Sequence, residues 1–214
     1  MSIATRLRAS WRDKGVVCLA LALGICVPYF LLQRVQLAAL VTVPATGIDR
    51  AVAFSPAWTP IYLSIAALVP MAPWLSADRE AVRRYAWGLT MLCVPSFVLF
   101  ALFPVAGPRP EQIAGGGLYE LLASHDRPTN SLPSLHAGLT VYSLLVIERA
   151  IGAQAGLALR AAMWAWGAAI LFSTLATKQH QFLDLPPGVA LAVAAYALAW
   201  WPVLKRSRQP SSRA

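Results

Sequence analysis

The sequence predicts an all-α integral membrane protein, a single bundle of six spanning helices, and three observations lead there. First, 58% of the 214 residues are hydrophobic and only 13% are charged, for a mean hydropathy of +0.58. That balance excludes a disordered chain and argues against an ordinary soluble domain. Second, charge-free windows close to the roughly 20 residues needed to cross about 30 Å of hydrocarbon recur along the chain. Within lipid such windows satisfy their own backbone hydrogen bonds as helices. Third, the net charge of +9 is unevenly distributed between the segments that join these windows.

The predicted spans are 15–33, 54–75, 85–104, 133–148, 160–177 and 185–204, all in one domain of residues 1–204, with a short basic tail at 205–214. The first lies between Lys14 and Arg34. It follows Arg6, Arg8 and Arg12 as a secretory leader would, but runs into Pro28, Tyr29 and Phe30 without a small-residue cleavage site, so a retained helix is expected. The second is bounded by Arg50 and Asp78, the third by Arg84 and Arg109, and the fourth by Arg127 and Glu148. Arg160 and Lys178 bracket the fifth, Asp184 and Lys205 the sixth.

An even number of spans puts both termini on one side. Of the 18 Lys and Arg residues, 13 fall in the N-terminus, the second and fourth loops and the tail, against five (Arg34, Arg50, Arg109, Arg127, Lys178) in the other loops. The positive-inside rule then makes the termini cytoplasmic and turns the first, third and fifth loops outward, toward the periplasm if the cell is a Gram-negative bacterium. Loop charge that sets topology needs no nucleic-acid partner. Cys18, Cys26 and Cys93 all lie in apolar windows without metal-ligand spacing and read as small packed hydrophobes, so neither a metal nor a cofactor is expected.

Polar residues gather in the outward segments, where leaving them in lipid is costly unless they are solvated or paired. Gly107-Pro108-Arg109-Pro110 closes the third span. The fourth opens with Asn130-Ser131-Leu132-Pro133-Ser134-Leu135-His136, in which a serine can cap the helix and the first-turn amides suit an anion. Whether Ser131 and Ser134 merely cap, or also contact an anion, is open at this point. Between the fifth and sixth spans His180 precedes Asp184 by four residues, a spacing that on a helix brings imidazole and carboxylate together. A carboxylate on one ring nitrogen leaves the other nucleophilic. Pro186 and Pro187 require the sixth helix to begin near Gln181 if that pairing is helical. His125 and Asp126 fit no pattern and read as solvated loop residues. Two histidines, a carboxylate, cations and a helix start on one face suit phosphoryl transfer, which depends on positioning and charge neutralisation.

Pro133-Ser134-Leu135-His136, followed by Ser173-Thr174, His180 and Asp184, resembles the second and third signature motifs of the type 2 phosphatidic acid phosphatase and vanadium haloperoxidase superfamily. Gly107-Pro108-Arg109-Pro110 resembles the end of its first motif. The resemblance implies that His180 attacks phosphorus, that Asp184 orients it, and that His136 protonates the leaving oxygen. It also implies phosphate contacts from Arg109, Ser134 and the Leu135 backbone, with Arg127 as a second Arg-Pro pair. Leu102 stands where the first motif has a Lys, and Thr174 where the third has an Arg, a charge that Lys178 would supply. Leu135 and Thr174 are similar to the inositolphosphotransferase-like branch. The implied partner is a lipid phosphate in the membrane. The implied activity is phosphate release, headgroup transfer between lipids, or, in an inactive relative, lipid binding alone.

Overall fold

The computed structural model describes residues 2–35, 37–110 and 117–207, with the side chains of 202–207 excepted. Gly115, Gly116 and the last residues of the basic tail lie outside the described residues. A short helix α1 (Ile3–Arg8) leads into α2 (Trp11–Leu32), which starts four residues before the predicted span because Ser10 turns the chain through a left-handed conformation, φ 51°. Strand β1 (Val41–Thr42) and helix α3 (Gly47–Ala51) follow.

The predicted second span is broken into a 3-10 turn (Pro56–Trp58), α4 (Thr59–Leu63) and α5 (Ile65–Leu75). Prolines are the reason. Pro56 and Pro60 suit first turns, whereas Pro70 and Pro73 lie inside α5 and remove two backbone donors. The carbonyl of Val69, four residues before Pro73, is taken up by the hydroxyl of Tyr85 at 2.8 Å. Helix α6 (Arg79–Leu102) is capped by the Asp78 carboxylate on the Ala81 amide, so Arg79, Arg83 and Arg84 sit in its first turns rather than in a loop. Strand β2 (Val105–Ala106), α7 (Leu118–His125), α8 (Leu135–Ile151), α9 (Leu157–Ala176), a 3-10 turn (Phe182–Asp184) and α10 (Leu185–Ser207) complete the chain.

Five of these segments, Trp11–Leu32, Pro56–Leu75, Arg79–Leu102, Leu157–Ala176 and Phe182–Trp201, are long and apolar enough to cross a membrane. The fourth predicted span becomes α8, only 17 residues long, and it is the axis of the bundle: eleven of its residues are buried and it packs on α5, α6, α9 and α10. A helix wrapped by protein does not have to match the hydrocarbon thickness by itself. The opposite extreme is α2, whose apolar window has no buried residue and whose Val16, Leu19, Leu23 and Val27 are exposed. Apolar on all sides, it is a helix made to face lipid. Cys26 is exposed on it, so only Cys93 behaves as the packed hydrophobe expected of all three cysteines.

The α8–α10 contact is set by two glycines. A Cβ on Gly138 would stand 3.0 Å from Leu92 and 3.2 Å from the Gly188 carbonyl, and one on Gly188 would strike the Ser134 carbonyl. That approach brings the start of α8 against the start of α10. At the opposite end of the bundle the Lys14 ammonium spends all three protons, on the carbonyls of Arg6 (2.6 Å), Trp74 (2.9 Å) and Ser76 (3.0 Å), which fastens α1 and α2 to the end of α5. The Asp13–Arg79 and Arg160–Glu148 ion pairs and the Arg149–Trp200 stack gather at this same end.

Candidate active site

The end of the bundle away from Lys14 is closed by backbone stitching between distant loops. β1 and β2 pair in parallel, Val41 with Val105 and Thr42 with Ala106. The Val105 carbonyl accepts from the Ser131 amide (3.2 Å) and the Gly107 amide donates to the Pro128 carbonyl (3.0 Å). Gly107 is required where it stands, because a Cβ there would lie 2.9 Å from the Gln179 carbonyl. Thus Arg109, Ser131 and His180 are drawn together from three loops.

Helix α9 ends in a turn in which the Thr174 carbonyl accepts from both the Gln179 and His180 amides, at 2.9 and 3.1 Å. Lys178 takes a left-handed conformation, φ 53°, to make that turn. His180 therefore lies in a loop, not on a helix, and its approach to Asp184 comes from the 3-10 turn that follows rather than from helical spacing. Pro186 and Pro187 fall in the first turn of α10, where backbone N–H groups have no helical partner to lose.

His180 is 5% exposed and Asp184 1%. Nδ1 of His180 lies 3.0 Å from the Ser131 carbonyl and 3.5 Å from Asp184 Oδ2. A carbonyl only accepts, so Nδ1 carries the proton and Nε2 keeps its lone pair. Asp184 is held in turn by the Ser131 hydroxyl and by the Gln181 amide at 2.8 Å. His136, second residue of α8, stacks on Tyr62 with centroids 4.1 Å apart, and its ring lies 5.8 Å from that of His180.

A narrow cavity of about 10 Å³, room for a single water, adjoins His180 and is lined also by Arg109, Arg127, Asp126, Tyr29, Tyr62 and Gln179. Arg109 donates through Nη2 to the Asp126 carbonyl at 2.8 Å, while its buried Nη1 has no partner. The amide of Gln179, 5% exposed, also lacks partners for both nitrogen and oxygen. A buried unpaired polar group costs about 1–3 kcal/mol; the lining residues leave two donors, Arg109 Nη1 and Gln179 Nε2, and two acceptors, Gln179 Oε1 and Asn130 Oδ1, open to a ligand.

The other expected site residues divide. Arg127 is exposed and borders the cavity; its amide donates to Gln33 Oε1 at 3.1 Å. The Ser134 hydroxyl, fully buried, caps α8 on the Ala137 amide at 3.2 Å. Leu135 is buried at the first position of α8. Lys178 does not border the cavity: its ammonium donates to the carbonyls of Asp49 (2.9 Å) and Val52 (2.5 Å). Thr174 donates back to the Leu171 carbonyl of its own helix at 2.7 Å.

One residue read as solvated is not. Asp126 is 7% exposed and its carboxylate accepts from the Tyr29 hydroxyl (2.9 Å) and the Gln33 amide, whereas His125 is exposed. Tyr29, Tyr62 and Gln179 escaped sequence reasoning, since each is an ordinary residue of an apolar span or loop until the fold brings it to the cavity, as did Gln33, which holds Asp126 and the Arg127 amide behind it. Tyr119, on α7, donates to the Thr177 carbonyl at 3.0 Å and so holds α7 over the loop that carries His180.

The family model described as the PAP2 superfamily matches residues 38–198, three quarters of the chain and every residue of this cavity except Tyr29. The chain belongs to the PAP2 superfamily, whose members are typically phosphatases. No curated protein and no solved structure matches it significantly.

Proposed function

We propose that the protein is a membrane lipid-phosphate phosphoesterase that works through a phosphohistidine. Nε2 of His180 attacks phosphorus as the bond to the leaving oxygen breaks, and His136 gives that oxygen its proton. Asp184 and the Ser131 carbonyl stabilise the positive charge that develops on the His180 ring. In the second half, His136 takes a proton from the acceptor, whose oxygen displaces His180 from phosphorus. Arg109, the Leu135 amide and Gln179 hold the equatorial oxygens, with Arg127 at the mouth, and no metal enters the cycle. One observation carries this reading: His180, its Nδ1 engaged by the Ser131 carbonyl, lines the same small cavity as Arg109, whose guanidinium has a buried unpartnered nitrogen. The substrate is an amphiphile whose phosphate sits at the outward membrane face while its chains lie among the helices.

Transfer to an alcohol headgroup differs from hydrolysis only in the acceptor, and the Leu135 and Thr174 variants of the motifs favour it as the second reading. The test is to assay purified protein, without added metal, on phosphatidic acid, phosphatidylglycerol phosphate, an isoprenyl diphosphate and an inositol phospholipid. Free phosphate and new phospholipids are both followed. His180→Ala is expected to lower turnover at least about a thousandfold while the variant stays folded. Phosphate release establishes hydrolysis, a new headgroup-bearing lipid establishes transfer, and undiminished activity in the variant overturns the mechanism.

A further inference from the structure

A second cavity, of about 310 Å³, opens at the Lys14 end of the bundle among α1, α6, α8 and α10. It has no histidine and takes no part in the proposed reaction. Three N–H donors on its lining residues are buried without a partner: Nε of Arg6, Nε of Arg84 and Nε1 of Trp200. Arg6 and Trp200 are 9% and 5% exposed, and no unpartnered buried acceptor belongs to the described residues that line it.

The charge balance points the same way. Arg84 is matched by Glu80 at 2.9 Å, and Asp78 is engaged in capping α6. Arg6 Nη1 donates to the Leu75 carbonyl at 3.4 Å. The Arg149 guanidinium stacks over Trp200 at 4.8 Å and has no carboxylate partner among the described residues. The lining holds three guanidinium groups, Arg6, Arg84 and Arg149, against two carboxylates, Asp78 and Glu80, which leaves the cavity positive by one charge. An apolar ligand would leave three donors orphaned and a cation would meet two guanidinium groups; a tetrahedral oxyanion supplies acceptors and charge to both. The volume is that of a small ligand site.

We propose that this cavity is an anion site that binds a phosphate group, either the headgroup of an anionic lipid or free phosphate, at the end of the bundle opposite His180. With the termini cytoplasmic, it samples the inner leaflet while the reaction proceeds at the outer one.

The test uses the full chain in neutral detergent, carrying Arg109→Gln and Arg127→Gln so that the cavity beside His180 loses both of its guanidinium groups. Thermal unfolding is followed against inorganic phosphate and, separately, phosphatidylglycerol, with phosphatidylcholine as the neutral control. A saturable rise in Tm is expected with an anion and not with phosphatidylcholine. Adding Arg149→Gln should raise the half-saturating concentration roughly tenfold, and Trp200→Phe, which removes only the Nε1 donor, roughly threefold. The Arg149 side chain makes no hydrogen bond among the described residues, so its variant stays informative if Arg6→Gln does not fold. A rise with inorganic phosphate supports a free-phosphate site, and a rise with phosphatidylglycerol alone supports a headgroup site. No saturable rise with either anion, or a rise untouched by Arg149→Gln and Trp200→Phe, overturns the proposal.

Discussion

At one end of the bundle Arg109 leaves a guanidinium nitrogen unpartnered in a cavity shared with the His180 imidazole; at the other, Arg6 and Arg84 each leave an Nε unpartnered beside an indole. Under the readings proposed above, both ends hold an oxyanion. A guanidinium keeps its protons at any physiological pH and offers no nucleophile, whereas Nε2 of His180 has a lone pair to give, so in that proposal only the first end forms and breaks bonds to the anion. Charge neutralisation and covalent chemistry are then separable, and the histidines draw the line between them.

The variants that bear on this contrast differ widely in expected effect. After His180→Ala the largest is His136→Gln, which keeps a polar group on Tyr62 but removes the proton carrier; kcat should fall about 10²–10⁴-fold on a lipid with a poor leaving group. A loss below threefold would leave the leaving oxygen to water and erase half of the distinction between the ends. Arg109→Gln should lower kcat/KM about 10²–10³-fold, with Arg109→Lys only partly restoring it, since an ammonium cannot reproduce the fork.

Lys178→Met should act on stability instead. The carbonyls of Asp49 in α3 and of Val52 at its end lose their donor, for a loss of about 1–3 kcal/mol in denaturant unfolding with KM unchanged. A tenfold rise in KM at unchanged stability would return Lys178 to the phosphate.

The smallest effect concerns Asp49, which lies outside the spans. Burial pushes its carboxyl up, but hydrogen bonds from the Thr46 hydroxyl and amide and from the Phe182 amide, with the Lys178 ammonium nearby, hold it below its ordinary value of 3.8. A depressed folded-state pKa stabilises above the unfolded value and fades as pH falls through the folded one. The loops at the His180 end should accordingly loosen below about pH 4, and Asp49→Asn should flatten that part of an unfolding-versus-pH profile.

Hydropathy located the long helices because a lipid-facing segment such as α2 has nothing but its own composition to satisfy. It erred at starts. Charged first turns, as at Arg79 to Arg84, continue a helix beyond the hydrocarbon, and the prolines of the second window divide it without lowering its hydropathy. His136, His180, Asp184 and Arg109 were legible because charge and imidazole are rare in so apolar a chain. Asp126 was not, since its burial rests on Tyr29 and Gln33, more than ninety residues earlier. Lys178 misled for a local reason: its left-handed backbone directs the side chain to Asp49 and Val52, which spacing along a helix does not foresee.

Two helices begin beside His180, and their first turns are unlike. In α8 the amides of Leu135 and His136 have no partner inside the helix, whereas α10 opens with Leu185-Pro186-Pro187, and a proline has no N–H to offer. In the proposed reaction a phosphate at His180 would meet the free amides of the first turn of α8 on one flank and the two prolines of α10 on the other. The reacting group would thereby be given a direction before any side chain touches it, and a substitution that restored an amide at Pro186 or Pro187 would offer the same anion a second resting place.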